Sequence, residues 1–98
     1  MAATRTAAAV RDRDDAVRAF VADGCSAPRS WSTGPGGTYG THAHGYHKVL
    51  FCLEGSITFH LRDRDVDLSA GDRVDVEPDT EHSATVGPDG CSCIEASR

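Results

Sequence analysis

The sequence predicts an all-β domain preceded by a short amino-terminal α-helix. From Thr41 onward, short apolar runs recur with turn residues every few positions, the pattern of an antiparallel barrel or a double-sheet jelly roll. Before that point a single segment carries helical spacing. Size sets the third bound: 98 residues, 39% of them hydrophobic, make one small domain with a modest core.

The elements follow in chain order. Residues 1–11, rich in Ala and Thr, show no apolar period and are expected to be disordered, leaving a single domain over 12–98. Over 12–22 the apolar positions Ala16, Val17, Ala19, Phe20 and Val21 cluster at helical spacing, with Asp14 and Asp15 suited to a helix start and Gly24 to its end. Residues 30–40 hold four glycines and Pro35, which is loop chemistry. Strands are expected over 45–53, 56–61, 65–68, 73–76, 82–86 and 91–96. Turns fall at Glu54-Gly55, Asp63-Arg64, Ala70-Gly71, Pro78-Asp79 and Gly87-Pro88-Asp89-Gly90.

Charge and composition exclude several partners. A net charge of -5 with a pI near 5.4 repels phosphate backbones, so nucleic acid is not expected. No stretch approaches the roughly 18 consecutive apolar residues of a membrane span, and the first ten residues lack the hydrophobic run of a secretory signal. A cytoplasmic protein with reduced thiols is the expectation for Cys25, Cys52, Cys91 and Cys93, and Cys91 and Cys93 read as strand residues of which one is buried.

The chemistry gathers in Thr41-His42-Ala43-His44-Gly45-Tyr46-His47-Lys48, just before the most strand-like run, Val49-Leu50-Phe51-Cys52-Leu53. Side chains at i and i+2 of a strand share a face, so His42 and His44 can reach one metal ion together. His47 has the opposite parity and faces away unless a bulge turns it inward. Tyr46 and Lys48 share the inward parity. Lys48 has three readings: a desolvated neutral amine that ligates, acts as a base or forms a Schiff base; an ammonium paired with a carboxylate of the protein, for example Glu77 or Glu81, or with an anionic ligand; or a solvent-exposed group. Trp31 and Tyr39 flank the glycine-rich segment, as a lid over a pocket or as packing. Val49, Phe51 and Leu53 make the other face of the strand apolar too, so it needs a cover, either the helix with Trp31 or a second subunit; a homodimer packed sheet on sheet is expected.

The segment from Gly36 through His42, His44 and Lys48 to Gly55 resembles the first cupin motif, G-x5-H-x-H-x3-E-x6-G, with Lys48 in place of the glutamate. The run from Gly71 to His82 is similar to the second motif, G-x5-P-x-G-x2-H-x3-N, with Glu77, Asp79 and Val86 replacing its proline, glycine and asparagine. The resemblance covers residues 36–86 and is to the small single-domain, RmlC-like cupins. It implies a jelly-roll or double-stranded β-helix barrel with a divalent transition metal inside, held by His42, His44 and His82, the ion being Fe, Zn, Ni, Mn or Cu. It also implies a metal-dependent enzyme, dioxygenase- or isomerase-like; in such an enzyme Lys48 and Tyr46, inward by parity rather than by the motif, would orient a small anionic or carbonyl metabolite. Its alternatives are a non-catalytic small-molecule or metal-binding module and a metal-free interaction protein.

Overall fold

The structure, a computed structural model, describes residues 2–98. Its described elements are β1 (Ala3–Thr6), α1 (Arg13–Ala22), β2 (Arg29–Thr33), β3 (Thr38–His42), β4 (Lys48–His60), β5 (Asp65–Ser69), β6 (Arg73–Val76) and β7 (His82–Ser97).

Two long strands, β4 and β7, organise the rest. They pair antiparallel from Lys48↔Ser97 to His60↔Ser83, and both bend at the middle. On one side of the bend the strand order is β1-β6-β4-β7-β2; on the other, β5 flanks β4 and β3 flanks β7. The result is two antiparallel layers sharing the bent pair, the jelly-roll arrangement expected from the sequence.

The bend explains why Glu54-Gly55 and Gly87–Gly90 read as turns. They are irregularities inside continuous strands, where Gly87 to Gly90 lie opposite Ser56 alone and the register shifts. Gly55 has φ 70°, and a Cβ on it would stand 1.9 Å from the Gly90 carbonyl oxygen, so a side chain there would force the corner open. The shift also exchanges parity. Leu50 and Cys52 point inward before the bend, Ile57 and Phe59 after it, and all four join one buried cluster with Val66, Leu68, Val74, Val76 and Cys93.

A second cluster lies outside the barrel. Val49, Phe51, Ile94 and Ala96 pack there against Val10, Ala16 and Phe20. The helix begins as its sequence suggests: the Asp12 carboxylate accepts the Asp15 amide at 2.9 Å, and Gly24 closes the other end at φ 70°. Phe20 meets Phe51 edge to face at 5.1 Å. Val49, Phe51 and Ile94 are at most 1% exposed within the single chain. The outer face of β4 is thus covered by the chain's own helix, the first of the two covers expected for it.

Two segments differ from expectation. Residues 3–6, within the stretch expected to be disordered, form β1 against β6. Only Ala3 of this strand is buried, so it has no apolar period to read; its support comes from elsewhere in the chain. The buried Asp72 carboxylate supplies part of it, accepting the Ala8 and Ser69 amides at 2.9 Å and the Arg5 guanidinium at 3.0 Å. The glycine-rich stretch expected as a loop, residues 30–40, overlaps most of β2 and part of β3, each ordered by pairing with one half of β7. Cys91 and Cys93, expected to bury one of the two, are both buried, because both face the barrel interior beside Cys52. Among the described residues no helix is long and apolar enough to cross a membrane.

Candidate metal centre

Three histidines converge at one end of the barrel. His42 closes β3 and is paired across the sheet with His82, which opens β7. His44 follows two residues later in the connection to β4, where its carbonyl accepts the Asp79 amide at 2.7 Å and ties the two turns together. Asp79, at the position of the second motif's glycine, takes φ 61°, a left-handed conformation that aspartate tolerates better than most residues. The ligand atoms of His42, His44 and His82 all lie within 4.8 Å of one another.

Hydrogen bonding fixes two of the rings. His42 Nδ1 donates to the Gly40 carbonyl at 2.7 Å and His82 Nδ1 to the Thr80 carbonyl at 2.9 Å. A carbonyl oxygen only accepts, so in both rings Nδ1 carries the hydrogen and Nε2 offers its lone pair. The Nε2 atoms of His44 and His82 are buried without any protein partner. Buried nitrogens left bare are unusual and costly. Burial pushes the His82 imidazole below its ordinary value, against the Thr80 bond, and burial together with Lys48 and the neighbouring rings does the same to His44. Both shifts favour the neutral imidazole, the form that ligates metal. Donor type, convergence, tautomer and bare nitrogens all fit a metal ion.

A chamber of about 450 Å³ opens beside this cluster, lined by His42, His44, Lys48, Trp31, Tyr39 and Glu95 among others. Lys48 faces it and pairs with Glu95 at 3.3 Å, so of the readings above the carboxylate pairing holds, with a different carboxylate. Glu81 instead meets Arg62 on the surface, and Glu77 lines a groove on the outer side. Glu95 also accepts Trp31 Nε1 at 2.7 Å and Arg29 at 3.3 Å. Burial opposes its ionisation, but Lys48, Trp31 and Arg29 outweigh it and hold the carboxyl below its ordinary value. Nothing in the sequence analysis singled out Glu95 or Arg29. A signal was present, since Glu95 continues the inward parity of Cys91 and Cys93 and is a charge on an otherwise apolar face.

The other candidates are placed as follows. His47 points to the outer side, its Nε2 3.0 Å from Asp75, as its parity requires. Tyr46 lies 4.9 Å from the His44 ring, 39% exposed, and is not part of the chamber wall. Trp31 and Tyr39 touch edge to face at 5.4 Å and do line the chamber, but as residues of β2 and β3; they are wall, not lid.

Comparison with known proteins agrees with this geometry. The family model of the cupin domain matches residues 30–94. The chain belongs to the cupin family. Among solved structures this cupin is similar to an RmlC-like cupin from Shewanella frigidimarina NCIMB 400, at 26% identity and a TM-score of 0.64 over 71% of this chain and 62% of that one. It is also similar to the polyketide cyclase RemF from Streptomyces resistomycificus, at 23% identity and TM-score 0.64 over 71% and 52% of the two chains. A third, KdgF from Halomonas sp., shares 22% identity at TM-score 0.61 over 71% and 67%. The cupin therefore spans between about half and two thirds of the length of these relatives. No curated protein matches the chain.

Proposed function

We propose that this cupin binds a divalent transition metal through His42, His44 and His82 and acts on a small anionic or carbonyl metabolite in the adjoining chamber, with dioxygenase- or isomerase-like chemistry. The observation that carries the reading is the pair of buried, partnerless Nε2 atoms of His44 and His82 beside His42, whose Nδ1 bond to Gly40 leaves its own Nε2 lone pair to ligate. A bound metal would supply Lewis acidity or an oxygen-activating centre. The chain's own residues do the rest. The carbonyls of Gly40 and Thr80 hold two rings in their ligating tautomer, and Glu95 holds Lys48 at the chamber wall where it can orient a substrate. Tyr46 lies against the His44 ring, outside the chamber lining, which favours a role toward His44 over contact with a substrate. The family resemblance to an enzyme such as the polyketide cyclase supports catalysis on this fold, while its reaction is that protein's own.

The test is metal analysis of untagged protein after reconstitution. Near-stoichiometric metal is expected in the parent, with loss in His42→Ala and His82→Ala. A parent that takes up no metal would end the proposal. Metal without oxygen consumption or turnover across a panel of small carboxylates and ketones would leave a binding module.

A further inference from the structure

The chamber contains a charged group that the protein only partly satisfies. The Lys48 side chain is 8% exposed and faces Glu95 Oε1 at 3.3 Å. An ammonium has three N–H donors and no acceptor. Glu95 is the acceptor that the described residues bring to it, and Oε1 already accepts Trp31 Nε1 at 2.7 Å, while Oε2 takes Arg29 at 3.3 Å. The carboxylate therefore fixes Lys48 in place without using up its donors. Two remain, on a side chain that lines the same chamber as His42 and His44. On a side chain that is 8% exposed and lines the chamber, these donors are open to whatever fills it, so a ligand there can take them in place of water.

What completes it follows from charge and lining. Lys48, Arg29 and Glu95 sum to one positive charge, and Arg29, 78% exposed, sits where solvent reaches the wall. Much of the remaining lining is apolar or aromatic: Trp31, Tyr39, Ile57 and Phe59. A neutral carbonyl would satisfy a donor and leave the charge unbalanced. A carboxylate supplies two oxygens for the two donors together with the missing negative charge, in surroundings where a charge-assisted bond is strong. We infer that the chamber takes a small monocarboxylate with an apolar or aromatic body, its carboxylate received by Lys48 with Arg29 beside it and Glu95 acting as the positioning residue. This rests on the chamber being the ligand site proposed above, and it narrows that proposal from anionic or carbonyl ligands to carboxylates.

Trp31 is the single tryptophan of the sequence and lines the chamber, so its fluorescence reports occupancy. The probes are benzoate and benzamide, which share a ring and differ in charge. Each is titrated into metal-loaded and metal-free parent, with metal content measured on the same samples. Benzoate is expected to change the fluorescence saturably and to bind at least tenfold more tightly than benzamide in both forms. The double variant Lys48→Met/Glu95→Gln removes both charges, so that neither is left buried alone; it is expected to keep the parent's metal content and to reduce the preference below twofold. Equal binding of the two probes by the parent overturns the inference whether or not the variant folds, and so does a preference that persists in a folded double variant. A preference seen only in the metal-loaded form would belong to the metal's own charge and also overturns it. Each of these leaves the metal proposal standing if metal is stoichiometric. Conversely, a parent that holds no metal yet prefers benzoate tenfold ends the metal proposal and upholds the carboxylate site.

Discussion

The five histidines of this chain fall into an inner and an outer group, and their ring nitrogens distinguish them. Inside, the Nε2 atoms of His44 and His82 are buried and bare. Outside, His47 Nε2 meets Asp75 at 3.0 Å, while His60 bonds Asp65 at 2.8 Å through Nδ1 and Thr85 at 2.9 Å through Nε2. Residue type is the same in both groups; the partner is what differs. An imidazole whose nitrogens are taken by protein acceptors and hydroxyls holds the sheet together, and one whose nitrogen is left over is available to something else. Ion pairs divide the same way. Lys48–Glu95 lies on the chamber wall with side chains 8% and 10% exposed, whereas Arg62–Glu81 lies on the surface at 90% and 66%.

The largest break in this comparison comes from reversing one charge on each side. Lys48→Glu restores the carboxylate of the cupin motif but places it against Glu95, and disrupting a buried pair costs about 3–5 kcal/mol. Arg62→Glu makes an equivalent reversal in solvent and is expected to cost no more than about 1 kcal/mol. Urea unfolding of the two variants checks this, and Lys48→Glu/Glu95→Gln should recover much of the loss. Similar costs for the two single variants would show that the chamber wall is as solvated as the surface. The double variant is also the proper form of a test for a fourth, carboxylate ligand, because the single one confounds ligand supply with repulsion.

A smaller effect distinguishes the histidines themselves. A ligand that binds only the folded state stabilises it by about 2.7 kcal/mol at a free concentration of 100 times its Kd. Zinc at such a concentration is expected to raise the melting temperature of the parent, of His47→Ala and of His60→Ala alike. His82→Ala should show no such rise. An outer variant that loses the response, or a His82→Ala protein that keeps it, would move the site to the outer face.

Much of this division was legible in the sequence, and the illegible part has a physical pattern. Spacing paired His42 with His44 and parity on a regular strand put His47 outside, because both depend on local geometry that the chain carries in its order; His82 joined the pair only through the resemblance to the second cupin motif. The helix was legible for the same reason, from its caps and its apolar face. The strands β1, β2 and β3 were not. Their order comes from pairing with β6 and β7, and segments such as Ala3–Thr6 and Arg29–Thr33 have no periodicity of their own. Glu95 was missed on similar grounds: its meaning lies in Lys48, Trp31 and Arg29, which reach it from other strands. Turn chemistry misled at Gly55 and Gly90, where glycine serves the close approach of two bent strands and not a chain reversal.

The acid limb of stability offers the finest test of the inner and outer regions. Glu95 inside and Asp75 outside are both held below their ordinary values of 4.5 and 3.8. For Asp75, burial works upward and is outweighed by Arg73 and His47. With the folded value lowered, the unfolded chain binds more protons in the interval between the two, so stability falls as pH falls through it. The contribution of Glu95 is thus complete above about pH 4.5 and that of Asp75 above about pH 3.8, each being lost on descent toward its folded value. In metal-free protein, Glu95→Gln should flatten the upper part of the acid limb between pH 4.5 and 3.8, and Asp75→Asn only the part below. Denaturant midpoints measured at close pH intervals resolve the order. If Glu95→Gln keeps the parent's slope throughout, the carboxylate is not held by Lys48, Trp31 and Arg29 in solution, and the chamber wall lacks the charge that sets it apart from the outer face.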